Sequence, residues 1–148
     1  MNLVQLIYVS SATKPLTSGE LRSLLKLARA RNVRRGISGI LLYKNGSFLQ
    51  VIEGEPPAVD ELFGKINKDP RHDGVVLLSR REIKEHNFPS WSMGFLAVDE
   101  IGSRASPGFN DFFHVGESFL DLTGDTALVH RILDGFRDGK WRQHVETI

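Results

Sequence analysis

The chain has 148 residues, a formal net charge of +1 and no cysteine. This is one domain's worth of sequence with an apolar fraction sufficient for a core, and its near-zero charge gives no bulk attraction to nucleic acid or an anionic membrane surface. The missing thiols exclude disulfides and thiolate chemistry and make a cytoplasmic location the simpler expectation.

The start, Met1-Asn2-Leu3-Val4-Gln5, runs directly into a strand-like pattern without a basic segment and long apolar run, so no signal peptide is expected. No apolar run reaches membrane-spanning length. Leu3–Ser10 reads as a strand, with Val4, Leu6 and Tyr8 on one face and Leu3, Ile7, Val9 and the polar Gln5 on the other. Ser10–Pro15 reads as a loop.

A helix with a marked start follows. Thr17 and Glu20 form a capping box, and Leu16 and Leu21 occupy the hydrophobic-staple positions. Leu21, Leu24, Leu25 and Ala28 repeat with the spacing of a buried stripe. Asn32 lies four residues further on. It is either a polar amide projecting from that apolar face or a residue of the fraying helix end.

Asn45-Gly46 between two apolar runs is a strong hairpin signal, because both turn positions favour φ > 0. Ile37–Tyr43 and Ser47–Glu53 should therefore pair as antiparallel strands. The second of these is apolar on both faces except at Gln50, which marks it as a central strand. A buried amide without a partner costs about 2–7 kcal/mol. Gln50 must meet either a neighbouring protein group or a bound molecule.

Glu55–Lys68 carries a second helical stripe, Val59, Leu62, Phe63 and Ile66, with Pro56 and Pro57 in the first turn and Pro70 past its end. Lys65 borders that stripe. Val75–Leu78 and Trp91–Val98 read as strands. Glu53 and Glu55, on either side of Gly54, read as turn and cap chemistry rather than an acid–base pair.

The order strand, helix, strand, strand, helix, strand, strand predicts an α+β, ferredoxin-like βαββαββ sheet with two helices on one face. The tail supplies a cover for the other face. Gly102–Gly108 is a linker, Phe109, Phe112 and Phe113 form an apolar cluster, and Asp125 caps a helix with Val129, Ile132, Leu133 and Phe136 on one side. Its basic end, Arg137–Arg142, suits the negative end of a helix dipole. The expected division is residues 1–98 as the main domain and 99–148 as a helical extension packed on it.

No phosphate loop, dinucleotide glycine pattern or nucleophile elbow is present, and the histidines at 72, 86, 114, 130 and 144 lack metal-ligand spacing. No enzyme mechanism is expected. The element order is shared with RNA-recognition modules, where Tyr8 and Phe48 would mimic base-stacking aromatics. Against that, Gly46–Ile52 lacks the basic and aromatic alternation of the module's main motif, and the tail would cover the exposed sheet face.

Five segments, in order, resemble the BLUF family of blue-light sensors that use flavin adenine dinucleotide (FAD). They are Leu6–Ser10; Asn32 with Gly36–Tyr43; Gly46–Gly54; Asp69–His72; and Phe88–Met93. The resemblance covers about residues 3–98, and 99–148 look like the helical extension of short, single-domain members. It implies FAD held between the two helices on one sheet face, with Tyr8 and Gln50 as the photoactive pair. Asn32 would hold the pyrimidine edge of the ring. Lys65, Asp69, Arg71 and His72 fall where family members contact the ribityl chain and phosphates. Trp91 and Met93 fall in the strand that carries the signal outward. A primary amide offers donors and an acceptor from one neutral side chain, which suits the mixed edge of a flavin.

Two positions depart from the family. Ala28 stands where several members have serine, and Arg31 where others have asparagine or histidine. The expectation is a blue-light photoreceptor without an enzymatic output of its own. It would act through a downstream signalling protein or a second copy of itself, with no membrane and no direct nucleic-acid partner. The competing expectation is a ferredoxin-like module binding RNA or another small ligand.

Overall fold

The computed structural model describes residues 2–14, 16–44, 46–88, 92–97 and 126–137. Alternating apolar residues build β1 (Leu3–Ala12), β2 (Ser38–Lys44) and β3 (Ser47–Gly54), and β4 (His72–Ile83) and β5 (Gly94–Ala97) complete a five-stranded sheet in the order β4-β1-β3-β2-β5. All pairings are antiparallel except β2 with β5, which is parallel. The first four strands have the ferredoxin-like arrangement, and β5 is the added edge. β3 lies at the centre, as its two apolar faces required.

Helix α1 (Ser18–Arg35) begins at the capping box. The Thr17 hydroxyl accepts from the Glu20 N–H (3.1 Å), and the Thr17 N–H donates to Glu20 Oε1 (3.2 Å). It ends at Gly36, whose φ of 67° belongs to the left-handed region open to glycine. The N–H of Ile37 then returns to the carbonyl of Asn32 (2.9 Å). This settles the two readings of Asn32: it sits in a well-formed last turn, and its side chain is fully buried on the apolar stripe.

Helix α2 (Pro56–Lys68) has its prolines in the first turn, where their missing N–H groups are not needed. Val59, Leu62 and Ile66 are its buried residues. Both helices cover one sheet face, closing a core of Val4, Leu6, Tyr8, Leu25, Ile52 and their neighbours. Each fully buried aliphatic side chain there contributes about 1.5–3 kcal/mol.

The opposite face carries Ile7, Val9, Ile40, Leu42, Leu49 and Val51, all inaccessible to solvent. Helix α3 (Thr126–Arg137) lies on this side. Its Val129 and Leu133 are buried, and its His130 feels the charge of Arg81, whose guanidinium donates to Gln5 (2.8 Å) on the same face.

Two strand expectations change. β4 is 12 residues long rather than the Val75–Leu78 core, because the ladder with β1 slips between Ile7 and Tyr8 and leaves Leu78 without an opposite residue. A bulge breaks the period of two, so the continuation Ser79-Arg80-Arg81-Glu82-Ile83 does not read as strand. β5 begins at Gly94, later than Trp91. Trp91, Asn45, the 102–108 linker, the Phe109, Phe112 and Phe113 cluster, Asp125 and the basic end beyond Arg137 lie outside the described residues.

Candidate functional site

The register of β3 decides which side chains meet. Gln50 stands opposite Tyr8 on β1 and opposite Leu41 on β2, and Leu41 stands opposite Phe95 on β5. These residues face the two helices. Between that row and the helices is a cleft of ≈ 80 Å³. α1 contributes Leu24, Leu27, Ala28 and Arg31 to its wall; Leu41, Phe48, Gln50 and Met93 form its floor; Ile66, Asp69 and Arg71 close the far side.

Three buried polar atoms have no partner among the described residues: the hydroxyl of Tyr8, which stands opposite Gln50, Asn32 Oδ1, and Nε of Arg31, which lines the cleft. Buried polar atoms are normally satisfied. The remaining contacts are ordered. Asn32 Nδ2 donates to the Ser92 carbonyl (2.6 Å), Arg29 Nε donates to the Met93 carbonyl (2.8 Å), and Gln50 Nε2 donates to Met93 Sδ (3.6 Å). Thioether sulfur is a weak acceptor, and this is a contact that a better acceptor would displace. The Tyr8 ring packs against Phe63, with centroids 5.3 Å apart.

Electrostatics follow from burial. The Tyr8 phenol is pushed well above its ordinary value, mainly by burial, with Arg31 opposing and Asp69 adding to the shift. It is neutral and protonated at any physiological pH. Burial lowers Arg31, whose charge also faces Tyr8, Arg71 and Asp69. Arg71 is held above its usual range by hydrogen bonds to the Asp69 carboxylate, and the same carboxylate accepts from the Arg71 backbone N–H (2.9 Å).

Gln50, Asp69, Arg71 and Met93 line the cleft, Tyr8 stands opposite Gln50, and Asn32 bonds the Ser92 carbonyl next to Met93. It places Lys65 elsewhere: exposed on α2, paired with Glu61 at 3.5 Å. His72 opens β4, and its side chain lies outside the described residues, as does Trp91. Ala28 and Arg31, the two departures from the family pattern, both line the cleft. Tyr8 and Phe48 do not form an exposed stacking platform: they are buried under the helices at 0% and 5% exposure.

One residue was misjudged at the sequence level. Glu53 is not a turn residue: it is fully buried on the α3 side of the sheet and accepts from Gln5 Nε2 (2.7 Å), Asn87 Nδ2 (2.9 Å) and the backbone N–H groups of Asn87 (2.8 Å) and Phe88 (3.1 Å). The available signal was strand parity. Position 53 lies an odd number of steps from Gln50, on the face where β1 carries Gln5.

Residues 3–94 match the family model described as BLUF, sensors of blue-light using FAD. The chain is 39% identical over 121 residues to the photoactivated adenylate cyclase subunit beta of Euglena longa, spanning 81% of this chain and 14% of that protein. Among solved structures, the dark state of BlrB, a BLUF protein, aligns at TM-score 0.72 with 35% identity, covering 90% of this chain and 97% of that one. A bacterial light-regulated adenylyl cyclase aligns at TM-score 0.71 with 28% identity, covering 90% of this chain and 36% of that one.

Proposed function

This chain belongs to the BLUF family and is a blue-light-sensing FAD domain, and from that premise we propose that Tyr8 and Gln50 are its photoactive pair and that Met93 carries the result out of the cleft. The observation that carries this reading is the direct pairing of Tyr8 with Gln50 across β1 and β3, beside a cleft where the Tyr8 hydroxyl lacks a partner.

The residues fit the group. The apolar walls Leu24, Leu27, Leu41 and Ile66 suit a flat aromatic ring system, and the orphaned Asn32 Oδ1 and Tyr8 hydroxyl suit its polar edge. Arg71, oriented by the Asp69 carboxylate, would hold the ribityl and phosphate end. Lys65 and His72 are further proposed contacts, and Lys65 reaches the phosphates only by leaving Glu61. Bound FAD supplies absorption of blue light and an acceptor for one electron.

The chain's own part follows from its chemistry. Tyr8, kept protonated by burial, gives up an electron and a proton from one group. Gln50, with an acceptor and donors on one side chain, would relay that proton; electron and proton then return to Tyr8, which is restored, and only Gln50 ends rotated or tautomerised. Either change alters what its amide offers to Met93. One net hydrogen bond contributes ~1 kcal/mol, whereas moving an equilibrium from 1:99 to 99:1 takes ~5.5 kcal/mol. The amide can therefore tip only a nearly balanced element. We propose the segment Trp91–Met93 as that element, with residues 99–148 as an extension of the same domain.

The domain has no catalytic output of its own in this reading. It acts by contact with a downstream signalling protein or a second copy of itself. No helix among the described residues is long and apolar enough to cross a membrane. Purified protein loaded with FAD should be yellow and show a small, reversible red shift of the flavin band under blue light. Colourless protein after loading with excess FAD would overturn the reading.

A further inference from the structure

Four residues of the second sheet face form a polar row across four strands. Arg81 stands opposite Gln5, Gln5 opposite Glu53, and Glu53 opposite Ser38. The row is bonded along most of its length, Arg81 Nε to Gln5 Oε1 at 2.8 Å and Gln5 Nε2 to Glu53 Oε2 at 2.7 Å. It then leaves the sheet. Glu53 takes the backbone N–H groups of Asn87 and Phe88 and the Asn87 side chain, while the Ser38 hydroxyl lies 2.6 Å from His86 Nδ1.

The segment it grips is the one that leads to Met93, five residues after Phe88. Its far end is gripped from the other face by Asn32 on Ser92, by Arg29 on Met93 and by Gln50 on the Met93 sulfur. β3 therefore holds both ends of the segment 86–93, Gln50 on the cleft side and Glu53 on the α3 side.

We propose that Glu53 is a positioning residue for the light response: it anchors Asn87 and Phe88, so that a change at Gln50 acts on Met93 only a few residues from a fixed point. This rests on the assignment of Gln50 as photoactive. The chemistry is specific to a carboxylate, because an ionised carboxylate is an acceptor at both oxygens and here meets donors at both. An amide of the same shape turns one of those acceptors into a donor facing donors.

The test uses the full chain loaded with FAD. Glu53→Gln should speed the return from the lit to the dark state about fivefold, the scale of one lost hydrogen bond. It should raise amide exchange at 92–97 in the dark, with exchange in α1 and β1 unchanged. Asn87→Ala removes one donor and leaves both backbone bonds, so it should shift recovery in the same direction by less; it decides the matter if Glu53→Gln does not fold. Recovery and exchange equal to the parent in a variant that still shows the red shift would overturn this proposal alone. A parent protein with no red shift would overturn the photoactive assignment beneath it. A uniform rise in exchange across the sheet, with unchanged recovery, would make Glu53 a structural residue only.

Discussion

Tyr8 and Gln50 are directly opposed across the β1–β3 ladder, a phenol and an amide with Cα atoms about 4.5–5.5 Å apart in such a pair. Each belongs to a strand bonded on both sides, so neither backbone can shift without breaking two ladders. The distance between an electron donor and its amide neighbour is thereby set by the most rigid part of the fold.

The Tyr8 hydroxyl is buried with no partner among the described residues, and such a group costs about 1–3 kcal/mol. Tyr8→Phe should therefore leave the FAD-free chain as stable as the parent or stabilise it by ~1 kcal/mol, read by urea denaturation. The same variant loaded with FAD should lose the light-induced red shift. A marked loss of stability in the FAD-free chain would mean that the hydroxyl is satisfied in solution.

Gln50→Leu keeps volume and removes every amide donor and acceptor. The variant should still bind FAD within several-fold of the parent, because the walls of the cleft are unchanged. Its absorption spectrum should be the same before and after blue light. A preserved red shift would remove Gln50 from the mechanism.

Gly39 leaves no room for a side chain between β2 and β3: a Cβ there would lie 1.9 Å from the Val51 carbonyl oxygen. Backbone cannot yield as a flexible side chain does. Gly39→Ala should cost about 3 kcal/mol or more and weaken FAD retention, since Leu41 and Gln50 are set by the same ladder. Thermal unfolding within a degree of the parent would show that the strands separate without penalty.

His130 sits below its ordinary value of 6.5, first because of burial and then because of Arg81, with Asp134 partly opposing. The unfolded chain then binds more protons between the folded value and 6.5. The stability this group contributes is full above 6.5 and is lost as pH falls through the folded value. Between about pH 7 and pH 5.5 the melting temperature should fall more steeply for the parent than for His130→Gln. Parallel curves would show that the imidazole titrates freely.

Where local rules and the fold agree, the sequence was readable. The Thr17–Glu20 box, the Gly46 turn and the prolines of α2 each use one interaction within a few residues, and each stands where expected. Gln50 was legible because an amide on an otherwise apolar strand contradicts its surroundings. β4 was not, because its bulge changes the phase of the pattern midway. Glu53 was not, because its partners come from Gln5, 48 residues away, and from a loop 34 and 35 residues away. The charges of Arg31, Asp69 and Arg71 show the same limit: Arg31 meets the other two only after α1 and α2 have packed.

The three-residue step from Gln50 to Glu53 has a consequence for how this protein can change over time. Substitutions in β3 can be gradual, but lengthening it cannot. One residue inserted between Gly46 and Gln50 moves amide and carboxylate together to the wrong sides, and one inserted after Gln50 leaves the amide in place and turns the carboxylate toward the helices. Either accident yields a chain that still has a hydrophobic sheet yet is blind or mute, so the count of residues along this strand is as heritable a property as their identity.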